Sequence, residues 1–299
     1  MQTYFDYSDE VSVAIQQKKP ILALESTLIT HGLPYPHNIN IAREVEKIAR
    51  DHGATPATIA IVQGKIKIGL SADDLETLVH DKHAIKASTR DIPLILSAGL
   101  NAGTTVASTL FCAHQAGIKV FATGGIGGVH RGDDLDISAD LIELSRTPVA
   151  LICAGAKAIL DIPRTLEFLE TFSIPVIGYR TENLPAFYSA SSTHKLSAKV
   201  DDVFALAKML NIHWQLRIPS GILIANPVPS ENQIPAEEIE PVIQAALKNA
   251  AQNNLTGKAI TPFLLNELAK TTQGKSVQTN LSLIKNNVKL GAQLAVAIG

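Results

Sequence analysis

TPVALICAGAKAILDIPRT, residues 147–165, passes from an apolar run (Val149, Ala150, Leu151, Ile152) through a turn of small residues into an amphipathic segment. An apolar run this short reads as a strand buried on both faces. The helical pattern at 165–171 makes the two one strand–helix unit. Working outward, the same alternation recurs in both directions. Strands are expected at 21–25, 58–63, 94–98, 119–122, 149–153, 176–179 and 222–225. Helices are expected at 38–52, 72–79, 104–116, 139–145, 165–171 and 203–210, with Ser71 and Asp74 forming a capping box for the second. Such alternation predicts an α/β fold, a largely parallel sheet layered between helices. Beyond Pro229 the texture changes. Segments 234–253, 262–271 and 280–297 read as a helical C-terminal portion packed on the same sheet, and 1–299 as one domain.

Composition narrows the class. A chain of 299 residues with 46% apolar and 18% charged residues can bury a large core and is neither disordered nor fibrous. Lys and Arg total 26 against 28 Asp and Glu, a formal charge of −2, and no basic block stands out. That excludes a general nucleic-acid-binding surface while leaving local phosphate binding open. Cys112 and Cys153 follow no metal or redox spacing and read as buried, inert thiols of a reducing compartment. The N-terminus is acidic where a secretory signal is basic, and no apolar run reaches membrane-spanning length. A soluble cytoplasmic protein is expected.

Lys157 stands in the opening stretch between Ala156 and Ala158. Desolvation disfavours a charged amine, so such a lysine is expected to titrate closer to neutrality. A neutral amine is a nucleophile that forms an imine with an aldehyde or an opened sugar. The alternative is a strand-end lysine whose head reaches water. Glu25 ends the first apolar run and precedes Ser26, Thr27 and His31. It reads either as a general acid with a raised pKa or as a carboxylate capping the following backbone. Its place on the first strand, opposite Lys157 on a later one, favours chemistry, because open α/β sheets bind ligands at the carboxyl ends of strands.

Residues 123–132, TGGIGGVHRG, follow a strand and are glycine-rich. Backbone amides there can approach an anion, and His130 and Arg131 behind them suit phosphate or a polar ligand; a tight structural turn is the alternative. The spacing matches neither a dinucleotide fingerprint nor a Walker loop. In DDLDISAD, Asp133 and Asp134 read as a solvated loop, whereas Asp136 is a candidate ligand for Mg²⁺ or Mn²⁺ and Ser138 a cap for the helix at Ala139. Lys86 is placed in a loop before the strand at Leu94, facing either phosphate or solvent, and Asn280 opens the last helix as cap or ligand.

Long stretches of the chain resemble the pseudouridine-5′-phosphate glycosidase family, which includes the indigoidine synthase A-like proteins. They are ALESTLITHGLPYPHN, PATIAIVQGKIKIGL, NAGTTVASTL, FATGGIGGVHRG, DISADLIELSRTPVALICAGAKAILDIPRTLEFLET and SGILIANPVP, spread from about Pro20 to Leu290. The resemblance implies reversible cleavage of the C–C glycosidic bond of pseudouridine 5′-phosphate, with water, to uracil and ribose 5-phosphate, breakdown being the expected direction. It makes Lys157 the nucleophile, Glu25 the proton donor and Asp136 the ligand of one Mn²⁺. Substrate contacts fall on Lys86, Val106, Ser138, Ala139 and Asp140, with His130 and Asn280 at further active-site positions. It also implies a layered α/β/α architecture and a homotrimer. Two places depart from the family pattern. Only Asp133, Asp134 and Leu135 separate HRG from DIS, where the family carries a longer insertion, and SVQTN replaces a small-residue run before Asn280. Rival readings are a lysine-imine lyase acting on another sugar phosphate or C-nucleotide, and a non-catalytic sugar-phosphate-binding protein.

Overall fold

The computed structural model describes residues 2–33, 35–132, 135–253, 255 and 260–299; Asp133 and Asp134 lie outside them. Among the described residues thirteen strands and eleven helices follow one another along the chain. The N-terminal half holds β1 (Phe5–Tyr7), α1 (Asp9–Gln16), β2 (Ile21–Leu24), α2 (His37–Asp51), β3 (Thr55–Val62), β4 (Lys65–Ile68), α3 (Ala72–His80), β5 (Ile85–Ala87), α4 (Ile92–Ser97), β6 (Ala102–Thr104), α5 (Val106–Gln115), β7 (Val120–Ala122), β8 (Val129–His130) and α6 (Ala139–Arg146). Then come β9 (Ala150–Cys153), β10 (Leu160–Asp161), α7 (Ile162–Thr171), β11 (Val176–Tyr179), β12 (Ala198–Val200), α8 (Val203–Gln215), β13 (Ile222–Ala225), α9 (Ala236–Gln252), α10 (Ile260–Thr271) and α11 (Lys275–Ile298).

The main sheet runs β1-β4-β3-β2-β7-β9-β13-β11-β12, with β6 joined to β3 and β5 joined to β6. Its centre is parallel, while β4 and β6 pair antiparallel with β3 and carry β1 and β5 in their own direction. Every residue of β7, β9 and β13 is buried. This is why these strands are unbroken apolar runs rather than alternating ones. Helix α11 lies across β2, β7 and β9, flanked by α2 and α8, while α5 covers β2 and β3 beside α6. The result is an α/β/α sandwich. Side chains such as Leu22, Phe121, Leu110 and Ile152 are fully buried within it, each contributing roughly 1.5–3 kcal/mol.

Three expectations are corrected. Residues 94–98 are not a strand: Ile92–Ser97 is helix α4. Pro93 sits in its first turn, where a missing N–H costs nothing, and Ile92 and Ile95 are buried at helical spacing while Leu94 is 68% exposed. Lys86 is not in a loop but on β5, paired with Gly103 of β6. Asn280 does not open the last helix, because α11 begins at Lys275 after Gly274. The sequence reading also missed β4. Its alternating Lys65-Ile66-Lys67-Ile68 follows a turn in which Gln63 and Gly64 both have positive φ, as in a two-residue hairpin.

Candidate active site

The parallel neighbours β2, β7, β9 and β13 present their carboxyl ends along one edge of the sheet. Glu25 follows β2, Thr123 follows β7, Asn226 follows β13, and Lys157 lies in the turn beyond β9. That turn is joined to the glycine-rich loop by a backbone ladder. Ala154 N donates to Gly124 O (2.9 Å), Ile126 N to Gly155 O (3.1 Å) and Lys157 N to Ile126 O (3.0 Å). β8 and β10 extend the pairing, setting His130 opposite Leu160. The glycines serve this packing. At Gly155 (φ +85°) a Cβ would stand 2.3 Å from Pro185 O, and at Gly127 one would stand 2.2 Å from Ser138 Oγ. The loop is therefore a tight structural element, the alternative left open by its sequence.

Arg131, a sequence candidate for phosphate, is occupied elsewhere. Its guanidinium forms a two-point pair with Glu240 of α9 and donates to Leu160 O (3.2 Å) and Ala158 O (2.9 Å). It thereby clamps the turn that carries Lys157.

Two chambers meet at this edge. One is mainly apolar, walled by Leu24, Leu28, Phe187, Leu265, Ile284 and Val288, with His31 and Asn280 as polar members. The other, about 480 Å³, is the more polar of the two, and the helix starts at Val106 and Ala139 both reach it. Glu25, Thr27, Lys86 and Lys157 line both chambers. Asn280 faces the apolar chamber, whereas Val106, His130, Asp136, Ser138, Ala139 and Asp140 line the polar one. Residues far apart along the chain thus converge on one cleft.

Burial pushes the Glu25 carboxyl above its ordinary range. The Lys157 charge and a hydrogen bond donated by Thr123 Oγ1 pull it back, Asp140 pushes it up, Lys86 lowers it, and burial prevails. The segment after Glu25 is locked in place. Ser26 Oγ donates to Ile59 O (2.6 Å) and accepts from Thr104 N (2.9 Å), and Thr27 Oγ1 donates to Thr104 O (2.7 Å). Lys157 is half-buried and lines the cleft walls together with Glu25.

In the polar chamber both Asp140 oxygens accept backbone N–H groups, from Ala107 (2.9 Å) and Gly127 (2.8 Å). That carboxylate fastens α5 to the glycine loop. Ser138 caps α6 by accepting from Asp140 N (3.2 Å), as its position suggested. Val106 and Ala139 open their helices; Ala107 N, Ser108 N and Asp140 N are taken by Asp140, Thr105 and Ser138, so it is the first amides, of Val106 and Ala139 themselves, that suit an anion. Asp136 is different. Its side chain is 42% exposed and an oxygen lies 3.9 Å from His130 Nδ1. Among the described residues no group of three or more His, Cys, Asp and Glu side chains could hold a metal. One exposed carboxylate on a chamber wall still fits a hard divalent ion that keeps its waters and shares a substrate phosphate.

Sequence reasoning missed Thr123 and the buried asparagines beneath it. Asn287 of α11 is fully buried, donates to Thr123 O (2.8 Å) and accepts from Asn226 Nδ2 (2.9 Å). A lone polar residue on the apolar face of a long helix was the available signal.

The fold and cleft define an α/β protein with Lys157 and Glu25 at its strand ends, and comparison with known proteins supplies the family. The model for indigoidine synthase A like protein matches residues 10–297. A pseudouridine-5′-phosphate glycosidase of Caldanaerobacter subterraneus subsp. tengcongensis is 53% identical, covering 100% of this chain and 98% of the relative. One of Glaesserella parasuis is 51% identical, covering 99% of each. Among solved structures, an indigoidine synthase A-like protein of Thermotoga maritima superimposes with a TM-score of 0.88 at 38% identity, over 93% of this chain and 92% of that one. A prealnumycin C-glycosynthase in complex with ribulose 5-phosphate gives 0.92 at 36% identity, over 99% and 97%. The chain belongs to the indigoidine synthase A-like family. Among the described residues no helix is long and apolar enough to cross a membrane.

Proposed function

We propose that the protein is a pseudouridine-5′-phosphate glycosidase that cleaves the C–C glycosidic bond with water to give uracil and ribose 5-phosphate. One observation carries this reading: Lys157 and Glu25 share the wall where an apolar chamber suited to a flat base meets a polar chamber suited to a sugar phosphate. Relatives about 50% identical over the whole chain bear that name.

Lys157 attacks C1′ as a neutral amine, and the C1′–O4′ bond breaks. Glu25, whose carboxyl burial pushes above its ordinary range, gives its proton to O4′ and takes one from the attacking nitrogen. The nitrogen lone pair then forms the C1′ imine as the C1′–C5 bond breaks. The electron pair passes to the uracil ring, and C5 is protonated. Water adds to the imine carbon, and its collapse releases ribose 5-phosphate and the free amine. The helix starts at Val106 and Ala139 hold the phosphate, with Lys86 at the chamber junction. Asp136 is the residue that would hold a divalent ion, Mn²⁺ in this reading. When bound, the ion supplies positive charge to the phosphate oxygens. Breakdown is the favoured direction, and a cytoplasmic setting suits the two unpaired, buried cysteines, whose thiols burial pushes up to about 12. A homotrimer belongs to the same reading. The apolar residues Phe204 and Ile212 of α8 and Leu216 beyond it are 69%, 49% and 67% exposed, a surface a second copy could cover.

The test is uracil release from pseudouridine 5′-phosphate with and without Mn²⁺, together with borohydride reduction in the presence of ribose 5-phosphate. The expected results are turnover and a covalent adduct at Lys157, with Asp136→Asn losing any Mn²⁺ response. An unmodified Lys157 overturns the imine route. Cleavage of a different C-nucleotide in its place would favour the second reading, a lyase on another substrate, which the C-glycosynthase neighbour supports.

A further inference from the structure

We propose that Arg90 is the residue that makes this site select a 5′-phosphorylated substrate, an inference that rests on the glycosidase reading above. The argument begins from the charges of the polar chamber. A phosphate dianion needs more than helix amides, and the chamber already holds the acidic Asp136. Lys86 and Lys157 line it, but both also line the apolar chamber and act on the Glu25 carboxyl, which places them at the reacting end. Arg131 is held by Glu240 and two carbonyls. Among the described residues, Arg90 is the one permanently charged cation lining the polar chamber and not the other.

Its setting suits a clamp. Arg90 follows β5 in a short 3₁₀ turn, Thr89–Asp91, on the same connection that carries Lys86 and Ser88 to the chamber wall. The turn is braced, since Ser88 N donates to Asp91 Oδ2 (2.9 Å) and Thr89 Oγ1 to the buried Glu143 (3.1 Å). The guanidinium itself is 77% exposed, and its one ion pair among the described residues is a long contact to Asp91, at 3.9 Å. A fixed base with a loosely held planar fork can close on a phosphate in two-point fashion, which a lysine cannot reproduce. An unphosphorylated nucleoside offers it nothing to grip.

Steady-state kinetics with pseudouridine 5′-phosphate and with pseudouridine test the proposal on wild type, Arg90→Ala and Arg90→Lys. Exposure of the side chain makes both variants safe to fold. For Arg90→Ala, KM for the phosphorylated substrate should rise about 10- to 100-fold, with kcat changed by less than about threefold. Arg90→Lys should fall between, and kcat/KM for pseudouridine should shift by less than about twofold. Equal losses on both substrates, or an unmoved KM, overturn the clamp while leaving the glycosidase intact. A wild type that releases no uracil from the phosphorylated substrate overturns the reading on which the clamp rests.

Discussion

Replacing Thr123 by valine isolates the force that steadies the Glu25 carboxylate. Valine keeps the shape of threonine, and the Thr123 carbonyl, held by Asn287, is untouched. Only the hydroxyl donor to Glu25 Oε1 is lost. A hydrogen bond to a charged group is worth about 1.5–3 kcal/mol, and one pKa unit corresponds to about 1.36 kcal/mol. Removal should therefore raise the carboxyl further by about one to two units. The sign follows from which form the donor favours: Thr123 stabilises the carboxylate, so its loss favours the acid. If Glu25 must be protonated to open the ribose ring, the limb on which activity falls with its deprotonation moves to higher pH by the same amount. The assay is kcat/KM for uracil release across pH, with Thr123→Ser as the control that restores the donor and the wild-type limb. A limb that stays in place, or moves to lower pH, would refute the assignment of Glu25 as proton donor.

Two further outcomes are expected. Because burial raises the Glu25 pKa on folding, its contribution to stability is full below the unfolded carboxyl range and is lost as pH rises through the folded value. Glu25→Gln should therefore melt a few degrees above wild type at neutral pH, the gap closing in acid, while uracil release is abolished; thermal scans at several pH values check this. Asn287→Leu strands the Thr123 carbonyl and the Asn226 amide, at about 1–3 kcal/mol each, and should lower Tm by roughly 3–10 °C in a thermal scan, with activity falling alongside.

The parts of the fold legible in the sequence were those whose burial leaves a one-dimensional trace. β7, β9 and β13 are buried on both faces, so their apolar runs announce them. Residues 94–98 misled because LILSA is apolar enough for a strand, and the competing signal, Pro93 in a first helical turn, is weak. The short strands β5, β6, β8, β10 and β12 have two or three residues each and are defined by partners far along the chain, which no local pattern records. At the site, Glu25 and Lys157 were readable because a charged residue at the end of an apolar run is conspicuous. The binding potential of Arg131 was misjudged because its partner, Glu240, is 109 residues away. Thr123 and Asn287 were missed for the same reason, since their roles exist only once α11 crosses the sheet.

That crossing has a consequence for how the molecule is born. Asn287 bonds a carbonyl 164 residues upstream, and Asn280, Ile284 and Val288 on the same helix help wall the cleft. A ribosome extending at roughly 5–20 residues per second delivers α11 on the order of tens of seconds after Glu25 has emerged. In the later half of that interval the nascent polypeptide carries both Glu25 and Lys157, but the roof above them has yet to be translated. The cleft is therefore walled only once α11 has been translated, and a ribosome stalled before that helix leaves Lys157 without this enclosure.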